Sequence, residues 1–151
     1  YLEEHPEFTV FFASGPRITL LDPKLLERVF ALHPILHLNQ QEITSYTGKE
    51  ELKAAAEEIH RFTQNTVIVT LGADGCYYYD GEKEETIPGV PAEQLDTIGA
   101  GDSHIGAVIA GLQCGKTIEE AIATANRVSA KVVETEGALL SDEAFASLDL
   151  L

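Results

Sequence analysis

Basic side chains are scarce in this chain. Its 151 residues hold 10 Lys and Arg against 25 Asp and Glu, a formal net charge of −15. Such a surface repels nucleic-acid backbones and anionic headgroups, so neither nucleic acid nor membrane is expected as a main partner. A bound nucleotide stays open, because backbone N–H groups and a metal ion can hold phosphates without many cations. Cysteine is scarcer still. Cys76 and Cys114 lie far apart, with no C-x-x-C and no zinc spacing, so two buried, reduced thiols are expected. No run is long and apolar enough to span a membrane. The opening Tyr1-Leu2-Glu3-Glu4-His5-Pro6-Glu7 does not resemble a secretory signal. Methionine is absent, even at position 1, so the chain is expected to be part of something longer. No repeat, low-complexity tract or linker divides it, and its length suffices for one domain with a real core. An acidic balance is also common in soluble cytosolic enzymes, and a cytoplasmic location is expected.

What is present alternates between two periods. Thr9 to Ala13 is a β-branched and aromatic run stopped by Ser14-Gly15-Pro16, and reads as a strand. Asp22-Pro23 opens a helix with Leu25, Leu26, Val29 and Phe30 on its apolar face. Ile35 to Leu38 is a short buried strand running into Asn39, and Gln40 to Tyr46 is a helical turn closed by Gly48. Glu50 to Gln64 reads as a helix with Leu52, Ala55, Ala56, Ile59 and Phe62 in phase. Thr66 to Leu71 is a β-branched strand; Cys76–Tyr79 and Glu84–Ile87 form a hairpin around Asp80-Gly81. Two helices follow, about 101–114 and 118–134, the second capped by Thr117 and Glu120. A short terminal helix starts at Ser141-Asp142-Glu143. This order predicts a three-layer α/β/α domain with a mostly parallel sheet, residues 1–151 forming one partial domain.

Three segments end strands or open helices with small or polar residues, where α/β sheets hold ligands. Asn39-Gln40-Gln41-Glu42 puts an amide and an acid on one helical turn. That pair suits Mg²⁺ held through water, and it equally suits a helix cap, Asn39 at the N-cap with Glu42 near N3. Thr70-Leu71-Gly72-Ala73-Asp74-Gly75 offers a hydroxyl and bare backbone to a phosphate; taken alone, an ordinary hairpin turn explains it better. It matches neither the P-loop nor G-x-G-x-x-G. The third segment is the most informative. Asp96-Thr97-Ile98-Gly99-Ala100-Gly101-Asp102 packs small residues between two acids at a helix start. Unpaired N–H groups and the helix dipole suit an anion there, most plausibly phosphate. Asp102 beside that anion has a purpose if it takes a proton from a group about to attack phosphorus.

Together with Ser103-His104-Ile105-Gly106-Ala107, that run resembles the C-terminal signature of the PfkB, or ribokinase-like, carbohydrate kinases. Asn39-x-x-Glu42 resembles the family's N-x-x-E motif and Thr70-Leu71-Gly72-x-x-Gly75 its T-L-G-x-x-G segment, in the same order. Ala125-Asn126 and Glu136-Gly137-Ala138 fall where the family has its nucleotide-pocket helix and following loop.

The resemblance implies a ribokinase-like fold and ATP-dependent phosphorylation of a hydroxyl on a sugar or nucleoside. It makes Asp102 the base and the N–H groups of Gly99, Ala100, Gly101 and Asp102 an anion hole. It gives Asn39 and Glu42 to Mg²⁺ through water, Thr70, Gly72 and Gly75 to the ATP channel, and Asn126 to the adenine. It matches Asp96, Ile98, Val132, Thr135, Gly137 and Ser141 to the K⁺ positions of some relatives, with Asp96 bracing the loop as the other role. His104 stands where the family more often has an aromatic such as Phe, and is expected to pack in the core or a pocket wall. Asp74 is acidic in a turn that could have carried a cation. The family's N-terminal half, with the sugar contacts and lid strands, has no counterpart here. The chain therefore reads as the nucleotide-binding half, weak in ATP binding and in transfer by itself, from a protein that could pair as a homodimer. Two other readings use the same motifs: a non-catalytic nucleotide-binding module, and a vitamin or hydroxymethylpyrimidine kinase of the same superfamily.

Overall fold

In the computed structural model, residues 1–148 are described. The elements are β1 (Phe11–Phe12), α1 (Pro23–Phe30), β2 (Ile35–Asn39), α2 (Gln40–Thr47), α3 (Leu52–Thr63), β3 (Val67–Thr70), β4 (Gly75–Tyr79), β5 (Glu84–Pro88), α4 (Ala100–Gln113), α5 (Ile118–Val133) and α6 (Asp142–Ala146). The strands form one mixed α/β sheet in sequence order, β1 to β5. β1 runs parallel to β2 and β2 parallel to β3; the β4–β5 hairpin is closed by Asp80, whose amide donates to the Lys83 carbonyl. The chain packs as two compact units. The first holds Tyr1–Leu71 with Tyr77–Thr86, the second Gly72–Cys76 with Ile87 onward.

In the first unit, the β-branched run of β3 is buried at Val67, Ile68 and Val69, and β2 at Leu36 and Leu38. Ala55, Ala56 and Ile59 of α3 complete the core with Leu26 and Phe30 of α1 and Ile18. Burying a side chain such as Ile59 contributes roughly 1.5–3 kcal/mol. Asp22 caps α1 by accepting the Lys24 amide, with Pro23 in the first turn.

Four local expectations change. The strand over 9–13 shrinks to Phe11–Phe12, because Gly15 turns at φ +60° and Pro16 lies in a 3₁₀ segment, Gly15–Leu20. Leu25 is exposed, since the buried positions of this short helix are Leu26 and Phe30, one turn apart. Phe62 is 58% exposed. The buried line of α3 passes through Ile59 and Thr63, and Phe62 instead stacks at 6.3 Å on Phe30 beside an open apolar groove. Cys114 is exposed while Cys76 is buried, and no disulfide joins them; α4 ends at Gln113, so Cys114 falls outside its packed face.

In the second unit, α4 packs on α5. The approach is close at Gly111, where an added Cβ would stand 3.0 Å from that of Ala121. Ala121, Ile122, Ala125, Val128 and Val132 form the buried face of α5. Its N-terminus carries the expected box, Thr117 accepting from the Glu120 amide and Glu120 from that of Thr117. Among the described residues, no helix is long and apolar enough to cross a membrane.

Candidate active site

Within the first unit, the parallel strands end together. Asn39 and Thr70 are register partners, the last residues of β2 and β3. The first residues of two of the three sequence motifs therefore meet at the carboxyl edge of the sheet. Asn39 and Glu42 form a full capping box: Asn39 Oδ1 accepts the Glu42 amide at 2.8 Å, and Glu42 Oε2 accepts the Asn39 amide at 2.9 Å. The cap and the ligand reading coexist, because Asn39 stays exposed and Glu42 half-buried. Glu42 Oε1 faces Gly15, the turn after β1. Among the described residues, no group of three or more His, Cys, Asp or Glu gathers as a metal site. A divalent ion here would rest on few protein ligands, as Mg²⁺ does when it keeps its waters.

The second unit carries the remaining motifs. In the turn Gly72–Asp74, Gly72 adopts φ +63° and faces open space. Gly75 has φ +102°, and a Cβ there would lie 2.2 Å from the Ile87 carbonyl. Gly89 is as confined, since its Cβ would stand 2.2 Å from the Ala73 carbonyl. Its amide donates to Asp74. Gly75 is thus required by chain packing, while Gly72 leaves its surface clear. Asp74 is exposed.

α4 begins without a side-chain cap. Its N-cap is Gly99, at φ +80°. Ile98 donates to Asp96, Ala100 to the Thr97 carbonyl at 3.2 Å and Ser103 to Gly99. The amides of Gly101 and Asp102 find no acceptor among the described residues. A Cβ at Gly101 would meet nothing within 4 Å, whereas one at Gly99 would stand 2.5 Å from that of Ala138. Gly99 is glycine for the fold; no contact among the described residues demands one at Gly101. Asp102 is exposed, and its carboxylate enters no hydrogen bond or ion pair among the described residues.

The helix start is braced from behind. Asp96 Oδ1 accepts the Ile98 amide at 3.0 Å, and Oδ2 the Gly137 amide at 3.1 Å. These bonds hold its carboxyl below the usual carboxylate range, Ile98 first and Gly137 second. The Val132 carbonyl accepts both the amide and hydroxyl of Thr135, and Ser141 caps α6. Of the atoms matched to a K⁺ position, the Asp96 carboxylate, the Val132 carbonyl and the Ser141 hydroxyl thus have protein partners. Asn126 is buried. It donates both amide hydrogens to the Ile87 and Pro88 carbonyls, at 3.1 and 3.0 Å. His104 is a core residue, as expected, 3% exposed. The Asp96–Gly137 link and the Gly75–Gly89 crossing had only faint local signals, a glycine after a helix and a Pro-Gly pair.

In the second unit, bare helical amides with a free carboxylate beside them are groups that suit a transferring phosphoryl group. The model of the pfkB family of carbohydrate kinases matches residues 15–144. The chain belongs to this family. An uncharacterized sugar kinase of Escherichia coli, YegV, is 36% identical over 141 residues, covering 91% of this chain and 44% of that protein. The crystal structure of a ribokinase from Thermotoga maritima superposes with a TM-score of 0.79 at 25% identity, over 97% of this chain and 51% of that one. A ribokinase-like E. coli structure, described as a putative ribokinase II in complex with ATP and Mg²⁺, has the same fold. Its TM-score is 0.79 at 24% identity, over 89% of this chain and 45% of that one. This pfkB chain thus spans about half the length of the relatives it matches.

Proposed function

We propose that this chain is the nucleotide-binding, C-terminal part of an ATP-dependent kinase that phosphorylates a hydroxyl of a sugar or nucleoside. The observation that carries this reading is the first turn of α4: two unpartnered amides, at Gly101 and Asp102, an open approach where Gly101 lacks a side chain, and an unengaged carboxylate on Asp102. A glycine at an exposed helical position costs about 1 kcal/mol relative to alanine. Room for an incoming group accounts for that cost.

Asp102 takes the proton of the acceptor hydroxyl. The hydroxyl oxygen forms a bond to the γ-phosphorus of ATP as the bond to the β,γ-bridging oxygen breaks, and ADP leaves with that electron pair. The amides of Gly99, Gly101 and Asp102, with that of Ala100 once turned from Thr97, meet the charge on the transferring oxygens. Because the N-cap has no side chain, no capping side chain competes with the phosphoryl group for the amides of Gly101 and Asp102. Thr70, Gly72 and Gly75 offer hydroxyl and backbone to the triphosphate. Asn39 and Glu42 would hold Mg²⁺ through water, and the ion would supply charge neutralisation on the phosphates. The K⁺ set of Asp96, Ile98, Val132, Thr135, Gly137 and Ser141 serves in this reading as the brace of the loop, with or without an ion.

The test is an ATP titration by calorimetry beside a coupled kinase assay on the full-length protein, across a panel of sugars and nucleosides. Turnover with one acceptor class supports the proposal. Binding of ATP without turnover on any acceptor would instead favour a non-catalytic nucleotide-binding module.

A further inference from the structure

His104 lies two residues beyond Asp102 on α4, in the buried seam with α5. Its Nε2 is 3.1 Å from Asn126 Oδ1. The other contacts of Asn126 orient its amide: only Nδ2 can donate to the Ile87 and Pro88 carbonyls. Oδ1 is then an acceptor, so His104 Nε2 carries a proton. Burial pushes the imidazole pKa down, which keeps the ring neutral. A line of hydrogen bonds runs from α4 through α5 to the end of β5.

The end of β5 is locked in turn to the glycine turn that follows β3. The Gly89 amide donates to Asp74 at 3.3 Å, and Gly75 and Gly89 leave no room for a side chain on either strand of the crossing. The path from Asp102 to the Gly72–Gly75 turn thus consists of two helical residues, one imidazole, one amide and a backbone crossing, all within the second unit.

Apolar side chains would fill such a seam without risk. Buried polar groups there are costly unless every one is paired. What a hydrogen bond adds over apolar contact is direction: it fixes the rotation of α4 about its axis. We infer that His104 and Asn126 form a positioning pair that sets the first turn of α4 against the Gly72–Gly75 turn, the two backbone surfaces offered to the phosphates. The catalytic consequence rests on the kinase reading; the geometric one does not.

The test uses the full-length protein with His104→Phe, His104→Gln and Asn126→Leu, read by steady-state kinetics and by residue-resolved amide exchange. Phe fills the seam but cannot donate. Phe is the commoner family residue at this place, but opposite Asn126 it leaves a buried amide oxygen unpaired; it is expected to lower kcat by about tenfold, with the KM for ATP held within about threefold. It should also speed exchange at Gly89, on the far side of Asn126, as well as at Ser103. Gln restores a donor and should recover most of kcat and the protection at Gly89. A folded His104→Phe protein with wild-type kcat and unchanged exchange at Gly89 overturns the inference. If His104→Phe does not fold, Asn126→Leu decides: faster exchange at both Ser103 and Gly89 supports the pair, and unchanged exchange at Gly89 refutes it. If the wild type transfers phosphate to no acceptor, the kinase reading fails, and the exchange data alone decide the positioning role.

Discussion

Asp96 accepts the amide of Gly137, 41 residues further along the chain, at 3.1 Å. With its other oxygen on Ile98 and with Gly99 backed against Ala138, it joins the loop before α4 to the loop after α5. The first turn of α4 is held from behind and left bare in front. That asymmetry is what a site for a transferring phosphoryl group needs, because preorganised donors need not reorganise when charge develops.

The two glycines of this turn should respond in opposite ways. Gly99→Ala places a Cβ against Ala138 at φ +80°, and is expected to destabilise the protein by about 1–3 kcal/mol. Gly101→Ala meets open space, and should stabilise by up to about 1 kcal/mol while suppressing phosphoryl transfer. Urea denaturation and a coupled assay on the same samples check both. Full activity in Gly101→Ala would mean that the open approach is not used.

The motifs were readable because their signals are local. A short apolar run gave β2, a β-branched run gave β3, and three-residue spacing gave the boxes of Asn39–Glu42 and Thr117–Glu120. Val67 to Val69 are buried because nothing polar interrupts them. Contacts that join distant segments leave no such trace. Nothing near Asp96 names Gly137, and nothing near His104 names Asn126. The periodicity of α3 misplaced Phe62 by one position, because Thr63, a polar residue, takes the buried place. The short β1 shows the same limit, since an aromatic run does not reveal how little of it is paired.

Acid should test the Asp96 brace. The Ile98 and Gly137 amides hold its carboxyl below the ordinary range, so its stabilising contribution is present above about pH 4. That contribution is lost as pH falls through the lowered folded value. Asp96→Asn should melt lower at neutral pH and show a shallower loss of stability as pH falls below about 4. Thermal melts of both proteins over this range give the answer; identical pH dependence would remove the brace from the account.

The N-x-x-E box separates folding from ligand binding. Glu42→Gln keeps an oxygen for the Asn39 amide, and should leave stability within about 0.5 kcal/mol. It removes a charge, so the Mg²⁺ concentration for half-maximal activity should rise. Asn39→Ala loses the cap and should cost about 1 kcal/mol. Denaturation midpoints and Mg²⁺ titrations of activity distinguish the two effects. An unchanged Mg²⁺ requirement in Glu42→Gln would leave the box a cap alone.

The central claim is that the unengaged carboxylate of Asp102 removes the acceptor proton beside the bare amides of α4. The direct measurement is kcat of Asp102→Asn in the full-length protein, with ATP affinity followed by calorimetry. A fall in kcat of about 10²–10⁴ with ATP binding largely retained is the predicted result. A kcat within a few-fold of wild type would contradict the account.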